Sequence, residues 1–181
     1  MRPGRESAMK IGIISDTHDQ IERVKKAVTL FNKEKVDLVI HCGDIVSPFT
    51  LQFYGKLKCP MKVIFGNNTG DLLRHLDYAN QFGLKCVEFI MVPFLALEID
   101  SRKIGVYHGD SPEITEALIR SKIYDCIFSG HNHIASIKDA DGVLYVNPGT
   151  LMDKHRVGVS DRPTISIYNT KIHKAKLVYV E

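Results

Sequence analysis

Short apolar runs and helical patterns alternate along the first part of this 181-residue chain. The run KIGIIS (10–15) is continuous and β-branched, which is typical of a strand buried on both faces of a parallel sheet. Apolar residues then recur at helical spacing over residues 20–35, and two more apolar runs follow, DLVIH (37–41) and MKVIFG (61–66). This alternation predicts βαβ units and restricts the chain to folds built around a largely parallel sheet.

Turn and capping residues mark three further helices. Ser47-Pro48 predicts the start of one helix, and a second is expected over residues 71–82, ending at Gly83. Ser111-Pro112 begins the last one. Its apolar side is expected to contain Ile114, Ala117 and Leu118.

The pattern changes after residue 83. Three apolar runs with only short separators fill residues 86–108, and five more follow from Cys126 onward, two of them joined by the DG turn at Asp141-Gly142. A sheet of mixed direction, or two sheets packed face to face with helices outside, fits this pattern better than a plain doubly wound fold.

Composition fits one ordinary folded domain. The chain is 44% hydrophobic and 25% charged, enough to bury one sizeable core, and we assign residues 9–181 to a single domain after a disordered leader at residues 1–8. The apolar run after that leader is too short for a signal peptide or a membrane span, so no membrane association is expected.

Charge and cysteine usage narrow the class further. The net charge of +3 is spread along the chain without a basic stripe, so strong nucleic-acid binding is not expected. The four cysteines, at positions 42, 59, 86 and 126, lie far apart and form no CxxC pair. Such spacing fits buried thiols in a reducing compartment, and we predict a cytoplasmic location.

Polar side chains follow five of the predicted strands, at the point where each strand ends. Each segment alone has an ordinary interpretation, because DTH is a common capping turn and GD and GN are common turn dipeptides. GHNH is a stronger signal, since imidazoles at i and i+2 face the same side of an extended segment. The segments are Asp16-Thr17-His18-Asp19, Gly43-Asp44, Gly66-Asn67-Asn68, His108-Gly109-Asp110 and Gly130-His131-Asn132-His133.

Together these strand ends indicate a metal site, because ligand sites of open α/β sheets lie beyond the carboxyl ends of the strands. Carboxylates, imidazoles and one carboxamide suit borderline divalent ions such as Mn²⁺, Fe²⁺, Ni²⁺ or Zn²⁺. Seven candidates are too many for one tetrahedral zinc, but they suit two ions that share a carboxylate. The candidate ligands are Asp16, His18, Asp44, Asn67, His108, His131 and His133.

The ordered motifs DTH, GD, GN, HG and GHNH resemble those of the calcineurin-like metallophosphoesterases, especially the small stand-alone prokaryotic phosphodiesterases. The resemblance runs from Met9 to at least Thr150, since NPGT (147–150) is similar to the closing NPGS turn of that family. It implies an α/β fold, a four-layer αββα sandwich of two mixed β-sheets flanked by helices. It also implies hydrolysis of small phosphodiesters by in-line attack of a metal-bridging hydroxide.

The resemblance assigns the ligands to two divalent ions, expected to be Mn²⁺, with Ni²⁺, Fe²⁺, Zn²⁺ or Mg²⁺ as alternatives. Asp16, His18 and His133 would hold the first ion, and Asp44 would bridge the two. The second ion would be held by Asn67, His108 and His131. Asp19 would support a ligand histidine, and Asn147 and Thr150 would form the turn and wall of the site.

Two positions depart from the family pattern, and each removes a candidate general acid. Asn68 stands where the larger phosphatases carry a histidine, and close relatives often read HGH where this chain has Asp110. We take Asp44, Asn68 and Asp110 as the candidate catalytic residues. The negative charge of Asp110 favours diesters over monoesters, unless Arg156 from the 150–160 loop offsets it.

Two other functions stay open at this level. A catalytically weak or inactive protein of this fold would act as a protein-interaction scaffold, as the retromer subunit with this fold does. A nuclease is the other alternative, although 181 residues and a charge of +3 leave little room for DNA-binding surface. The apolar strands within residues 86–99 also leave a homo-oligomer open.

Overall fold

The strands and helices of a computed structural model follow the predicted order closely. The structure describes residues 8–152 and 162–181. In chain order the elements are β1 (Lys10–Ile14), α1 (Ile21–Glu34), β2 (Leu38–His41), a 3₁₀ helix (Pro48–Lys56), β3 (Met61–Ile64), α2 (Leu72–Gln81), β4 (Val87–Ile90), β5 (Phe94–Ile99), β6 (Arg102–Tyr107), α3 (Pro112–Ser121), β7 (Cys126–Phe128), β8 (Ser136–Ala140), β9 (Val143–Asn147), β10 (Thr164–Asn169) and β11 (Lys174–Tyr179).

The strands form two mixed sheets. The six-stranded sheet has the order β11-β10-β1-β2-β3-β4, with parallel pairing from β1 to β4 and antiparallel pairing of β10 with its neighbours. The five-stranded sheet has the order β5-β6-β7-β9-β8, with β6, β7 and β9 parallel and the two edge strands antiparallel. The prediction of mixed sheets is thus confirmed.

Three apolar layers hold the molecule together. The two sheets pack face to face through residues such as Ile13 and Ile40 from one sheet and Val106 and Phe128 from the other. Helices cover the six-stranded sheet on its outer side, and α3 covers the five-stranded one. This arrangement is the predicted four-layer αββα sandwich, and each inner strand is buried on both faces as its β-branched sequence requires.

Local sequence explains how α1 packs. It buries Val24, Ala27, Val28 and Phe31, which recur at helical spacing. The Phe31 ring lies against Gly12 of β1, where a Cβ atom would come within 2.5 Å of the ring. Glycine at this position therefore lets the helix approach the sheet closely.

The predicted helix starts are confirmed, with two corrections to the helices themselves. The Ser47 side chain accepts from the Phe49 amide at 3.3 Å, but the segment it caps is a 3₁₀ helix. In α3 the predicted apolar face is wrong for Ile114, which is 48% exposed, and for Ala117, which is also exposed. It is confirmed for Leu118, which packs against the five-stranded sheet together with Ile119.

The run of three strands at 86–108 is divided between the sheets. β4 extends the six-stranded sheet next to β3, whereas β5 and β6 form a hairpin at the edge of the other sheet. Among the described residues, no helix has the length and apolar character needed to cross a bilayer. The carboxyl ends of β1, β2, β3, β6 and β7 meet at one edge of the sandwich, where the candidate ligands lie.

Candidate metal centre

Loops from both sheets are joined by hydrogen bonds at this edge. The Asp16 amide donates to the Gly43 carbonyl at 3.0 Å, which connects the loops after β1 and β2. The Gly130 amide donates to the His108 carbonyl at 2.8 Å, and the His131 amide donates to Asp16 Oδ2 at 2.9 Å. The last bond fastens the five-stranded sheet to the six-stranded one.

Five of the seven candidate ligands have a left-handed backbone conformation. Their φ values run from 39° to 68°, which non-glycine residues adopt uncommonly and at an energetic cost. Such conformations cluster at functional sites, where the surrounding structure enforces them. The five residues are Asp16, His18, Asp44, His131 and His133.

The first half of the centre consists of Asp16, His18 and His133. The Nε2 atoms of the two histidines are 3.2 Å apart, and His133 Nε2 is 3.2 Å from Asp16 Oδ1. Asp16 is fully buried, and its Oδ1 has no hydrogen-bond partner among the described residues. A buried carboxylate oxygen in that state is costly unless a cation satisfies it.

The second half consists of Asn67, His108 and His131. His108 Nδ1 donates to the Cys42 carbonyl at 2.8 Å, so a neutral imidazole has a bare Nε2. That Nε2 is 3.0 Å from Asn67 Oδ1, which is in turn 2.8 Å from His131 Nδ1. A backbone carbonyl that fixes the tautomer of a histidine is the usual support for a metal ligand.

Asp44 lies between the two halves. Its Oδ2 is 3.5 Å from His18 Nε2, and its Oδ1 is 3.3 Å from His108 Nε2. Asn68 donates to both carboxylate oxygens, from its backbone amide at 2.8 Å and from its side chain at 2.7 Å. The candidate catalytic residue Asn68 therefore contacts the predicted bridging carboxylate.

Ligand atoms of two residue groups converge within 4.8 Å, and Asp16 belongs to both groups. One group is Asp16, His18 and His133, and the other is Asp16, Asp44 and His108. The predicted assignment gave Asp16 to the first ion alone, whereas this geometry also brings it within reach of the second.

The donor set fits a cation. In the second half, His108 Nε2, Asn67 Oδ1 and Asp44 Oδ1 are three lone-pair acceptors that point at one another. In the first half, an unpartnered carboxylate oxygen faces two imidazoles. Converging acceptors without hydrogens between them repel unless a positive charge lies among them, so these residues fit divalent ions.

Protonation states also suit metal binding. Burial raises the pKa of the Asp16 carboxyl, but the His133 and His108 imidazoles outweigh burial and hold that pKa below its ordinary value. Burial lowers the pKa of His18, and Asp44 and Asp16 only partly oppose this. An ionised carboxylate beside a neutral imidazole is the form in which both bind a metal.

His41 is a residue of the site region that the sequence did not reveal. The Gly43 amide donates to its Nδ1 at 3.1 Å, so its Nε2 carries the proton and donates to Thr17 Oγ1 at 3.2 Å. Burial lowers the pKa of His41 to about 3, which keeps the ring neutral. It therefore connects the loops that present Asp16 and Asp44. The sequence signal that could have identified His41 is its position at the end of a predicted strand, two residues before Gly43-Asp44.

One predicted supporting role and one predicted backbone conformation need correction. Asp19 was expected to support a ligand histidine, but its carboxylate accepts from the Ser47 amide at 3.0 Å. His131 and His133 were expected to face one side of an extended segment. Both residues have a left-handed backbone instead. They face different halves of the centre, in line with their assignment to two different ions.

The closing turn braces the site. The Asn147 side chain donates to the Gly130 carbonyl at 2.8 Å, and the Thr150 hydroxyl donates to the Asp16 carbonyl at 2.7 Å. Both residues are fully buried, so they fix two of the ligand-bearing loops.

Asp110 is exposed and lies beside the centre, outside the converging groups. Burial raises the pKa of the neighbouring Tyr107, and the nearby Asp110 carboxylate raises it further. Arg156, which could offset its charge, lies outside the described residues.

Comparisons with known proteins agree with the fold and the site. Residues 9–171 match the family model of the calcineurin-like phosphoesterase superfamily domain. Phosphodiesterase MJ0936 of Methanocaldococcus jannaschii is 35% identical over 173 residues, which cover 96% of this chain and all of that relative.

Two solved structures extend the comparison. An archaeal phosphodiesterase superimposes with a TM-score of 0.83 at 33% identity, covering 94% of this chain and 99% of its own. Vacuolar protein sorting 29 from Cryptosporidium parvum shares the fold, with a TM-score of 0.66 at 16% identity over 94% of this chain and 96% of its own.

Proposed function

Because the chain belongs to the calcineurin-like phosphoesterase superfamily, we propose that it is a metal-dependent phosphodiesterase that hydrolyses small phosphodiesters. The observation that supports this most directly is the convergence of His108 Nε2, Asn67 Oδ1 and Asp44 Oδ1 without hydrogens between them. Metal-dependent phosphoester hydrolysis is the chemistry of the family, and the choice of diesters is the finer part of the proposal.

We propose that seven side chains would hold two divalent ions, with Mn²⁺ as the expected metal. Asp16, His18 and His133 would hold one ion, Asn67, His108 and His131 the other, and Asp44 both. When bound, such a pair activates a water molecule and polarises the phosphate oxygens. Asn68 orients the Asp44 carboxylate through its two hydrogen bonds. The backbone carbonyl of Cys42 accepts from His108 Nδ1, so the proton of the neutral ring lies on Nδ1 and Nε2 is available to a metal.

The charge of the site supports the choice of diesters. Two dications and the carboxylates of Asp16 and Asp44 leave a formal charge of +2. A diester monoanion and an attacking hydroxide neutralise that charge, whereas a monoester dianion exceeds it. Asp110 adds a further negative charge beside the centre, which disfavours monoesters more.

The test measures metal content and compares initial rates on bis(4-nitrophenyl) phosphate and 4-nitrophenyl phosphate. We expect up to two divalent ions per chain, a higher kcat/KM on the diester, and loss of both activities in Asp44→Asn. A clear monoester preference would contradict the diester proposal. Absence of metal and of turnover would favour the scaffold alternative, and cleavage of DNA faster than of the small diester would favour the nuclease.

The remaining proposals concern location and chain organisation. Four free cysteines support a reducing compartment, and we propose the cytoplasm. The division into a leader at residues 1–8 and a domain at 9–181 stays a prediction, as does a homo-oligomer.

A further inference from the structure

An apolar cleft of about 250 Å³ opens directly beside the candidate metal centre. Its polar lining includes Asp110, His108 and Thr69. Its apolar lining consists of Phe65, Leu72, Met91, Val92 and Pro93.

The cleft and the centre share a wall. The His108 ring that presents Nε2 to Asn67 also lines the cleft, and Gly66, next to Asn67, lines it as well. A Cβ atom at Gly66 would come within 2.7 Å of the His108 ring, so a side chain there would displace the ligand. A group attached to a phosphate at the centre therefore lies next to the cleft.

The apolar wall combines a fixed ring with adaptable side chains. Phe65 stacks on Phe89 with ring centroids 5.6 Å apart, and His75 packs edge-on against it at 5.7 Å. Met91 and Val92, in the turn between β4 and β5, are 54% and 56% exposed. Exposed apolar side chains grouped beside a polar site mark a binding surface, and methionine adapts readily to what it contacts.

Charge and size define the group that would fit. Asp110 is the one carboxylate of the cleft, and no Lys or Arg among the described residues lines it. An arm that carries a further phosphate would be repelled there. The volume lies below the roughly 300–1,000 Å³ of sites for drug-sized ligands, so it suits a single ring.

A second cleft, lined in part by Gly109 and His131, has a different character. It measures about 330 Å³, and both Glu116 and Lys138 line it. The Lys138 ammonium lies over the Tyr145 ring at 5.1 Å, so a cation occupies the aromatic face. An apolar arm is therefore better accommodated on the Met91 side.

We propose that the Met91 cleft binds an uncharged, ring-sized apolar ester group of the phosphodiester substrate and so determines specificity. The inference rests on the proposed function, since it takes the phosphate to bind at the metal centre. It adds a substrate class: asymmetric diesters with one apolar ring.

The test compares methyl 4-nitrophenyl phosphate with phenyl 4-nitrophenyl phosphate, which release the same leaving group. We expect kcat/KM to favour the phenyl compound about tenfold, as burial of part of a ring predicts. Met91→Ser should reduce that ratio severalfold. Leu73→Ser is the matched control, because Leu73 lies on the same helix as Leu72, is 72% exposed and is not part of the cleft. Its ratio should equal that of the wild type.

A binding measurement keeps the two proposals apart. In protein loaded with diamagnetic Zn²⁺, the NMR signal of the Met91 methyl group should shift with diphenyl phosphate and much less with dimethyl phosphate. Equal kcat/KM values for the two esters, or no selective shift of the Met91 signal, would overturn the cleft assignment. Lack of turnover on both esters would contradict the proposed function, and the Met91 shift would still decide the cleft.

Discussion

The two halves of the candidate centre use different chemistry. The first half contains a fully buried carboxylate, Asp16, with one oxygen unpartnered among the described residues. The ligands that belong to the second half alone, Asn67, His108 and His131, are amide and imidazole groups without a carboxylate, and Asn67 is exposed. Backbone contacts already fix His108 through the Cys42 carbonyl. The first half therefore depends on a cation for its own stability, whereas the second is held largely by the protein.

This difference predicts which half of the centre binds a divalent ion more tightly. A carboxylate in a buried site attracts a divalent ion more strongly than an amide does, because the local dielectric is low. The first half should therefore bind the tighter ion. The second half has no carboxylate of its own: it shares Asp44, which faces His18 and His108 alike, and it lies within reach of the Asp16 carboxylate of the first half.

Replacing the shared carboxylate should have the largest effect. We expect Asp44→Asn to reduce kcat/KM on bis(4-nitrophenyl) phosphate by more than about 100-fold, beyond the usual cost of changing a residue that only supports a ligand. Asp19→Asn is the matched control, because its amide oxygen can still accept from the Ser47 amide. A loss in Asp19→Asn as large as that in Asp44→Asn would mean that loop stability, and not the shared charge, governs activity.

Metal-linked stability should separate the two halves. At about 100 times the Kd, a bound ion adds about 2.7 kcal/mol to the free energy of unfolding, which raises Tm by about 5–10 °C in a chain of this size. Asp16→Asn should lose more of this shift than Asn67→Ala, as measured by scanning calorimetry with and without Mn²⁺. An equal loss in both variants would remove the distinction between the halves.

The sequence predicted the strand ends well, because alternation and turn chemistry are local properties. It could not reveal that Asp16 reaches both groups or that the backbone at His131 and His133 is left-handed and not extended. Those features depend on left-handed backbone conformations that the tertiary structure enforces.

Tertiary packing explains the other differences between the sequence predictions and the structure. The pattern at residues 87–90 predicts a strand but does not say which sheet it joins, and only pairing with β3 decides that. Leu118 and Ile119 face the sheet in α3 because of where that helix docks, whereas spacing alone suggested Ile114.

Acid should lower the free energy of unfolding through His41, the buried histidine that connects the loops of Asp16 and Asp44. The pKa of His41 is lowered to about 3 by burial, while the unfolded chain has a histidine pKa of about 6.5. Above about pH 6.5 neither state binds the proton, and below it only the unfolded chain does, so stability falls with falling pH. We expect a loss of about 2 kcal/mol between about pH 6.5 and 5.

The variant His41→Asn should flatten this slope in urea titrations followed by circular dichroism, carried out in chelator so that metal release does not contribute. Wild-type and variant slopes that coincide over this range would contradict a neutral, buried His41.

The smallest effect concerns Asp110, beside the second half. An aryl oxide departs without a proton, whereas an alkoxide needs one from a positioned acid. Asp110 is exposed beside the second half, and an imidazole at this position would be a better proton donor near neutral pH than a carboxyl group. Asp110→His should therefore raise turnover of an alkyl diester about tenfold relative to an aryl diester, below the roughly 100- to 10,000-fold that a fully positioned general acid contributes. Asp110→Asn is the control, since it removes the charge without supplying an acid. If both variants change alkyl and aryl rates equally, Asp110 acts through charge alone, and the second half works without a general acid at this position.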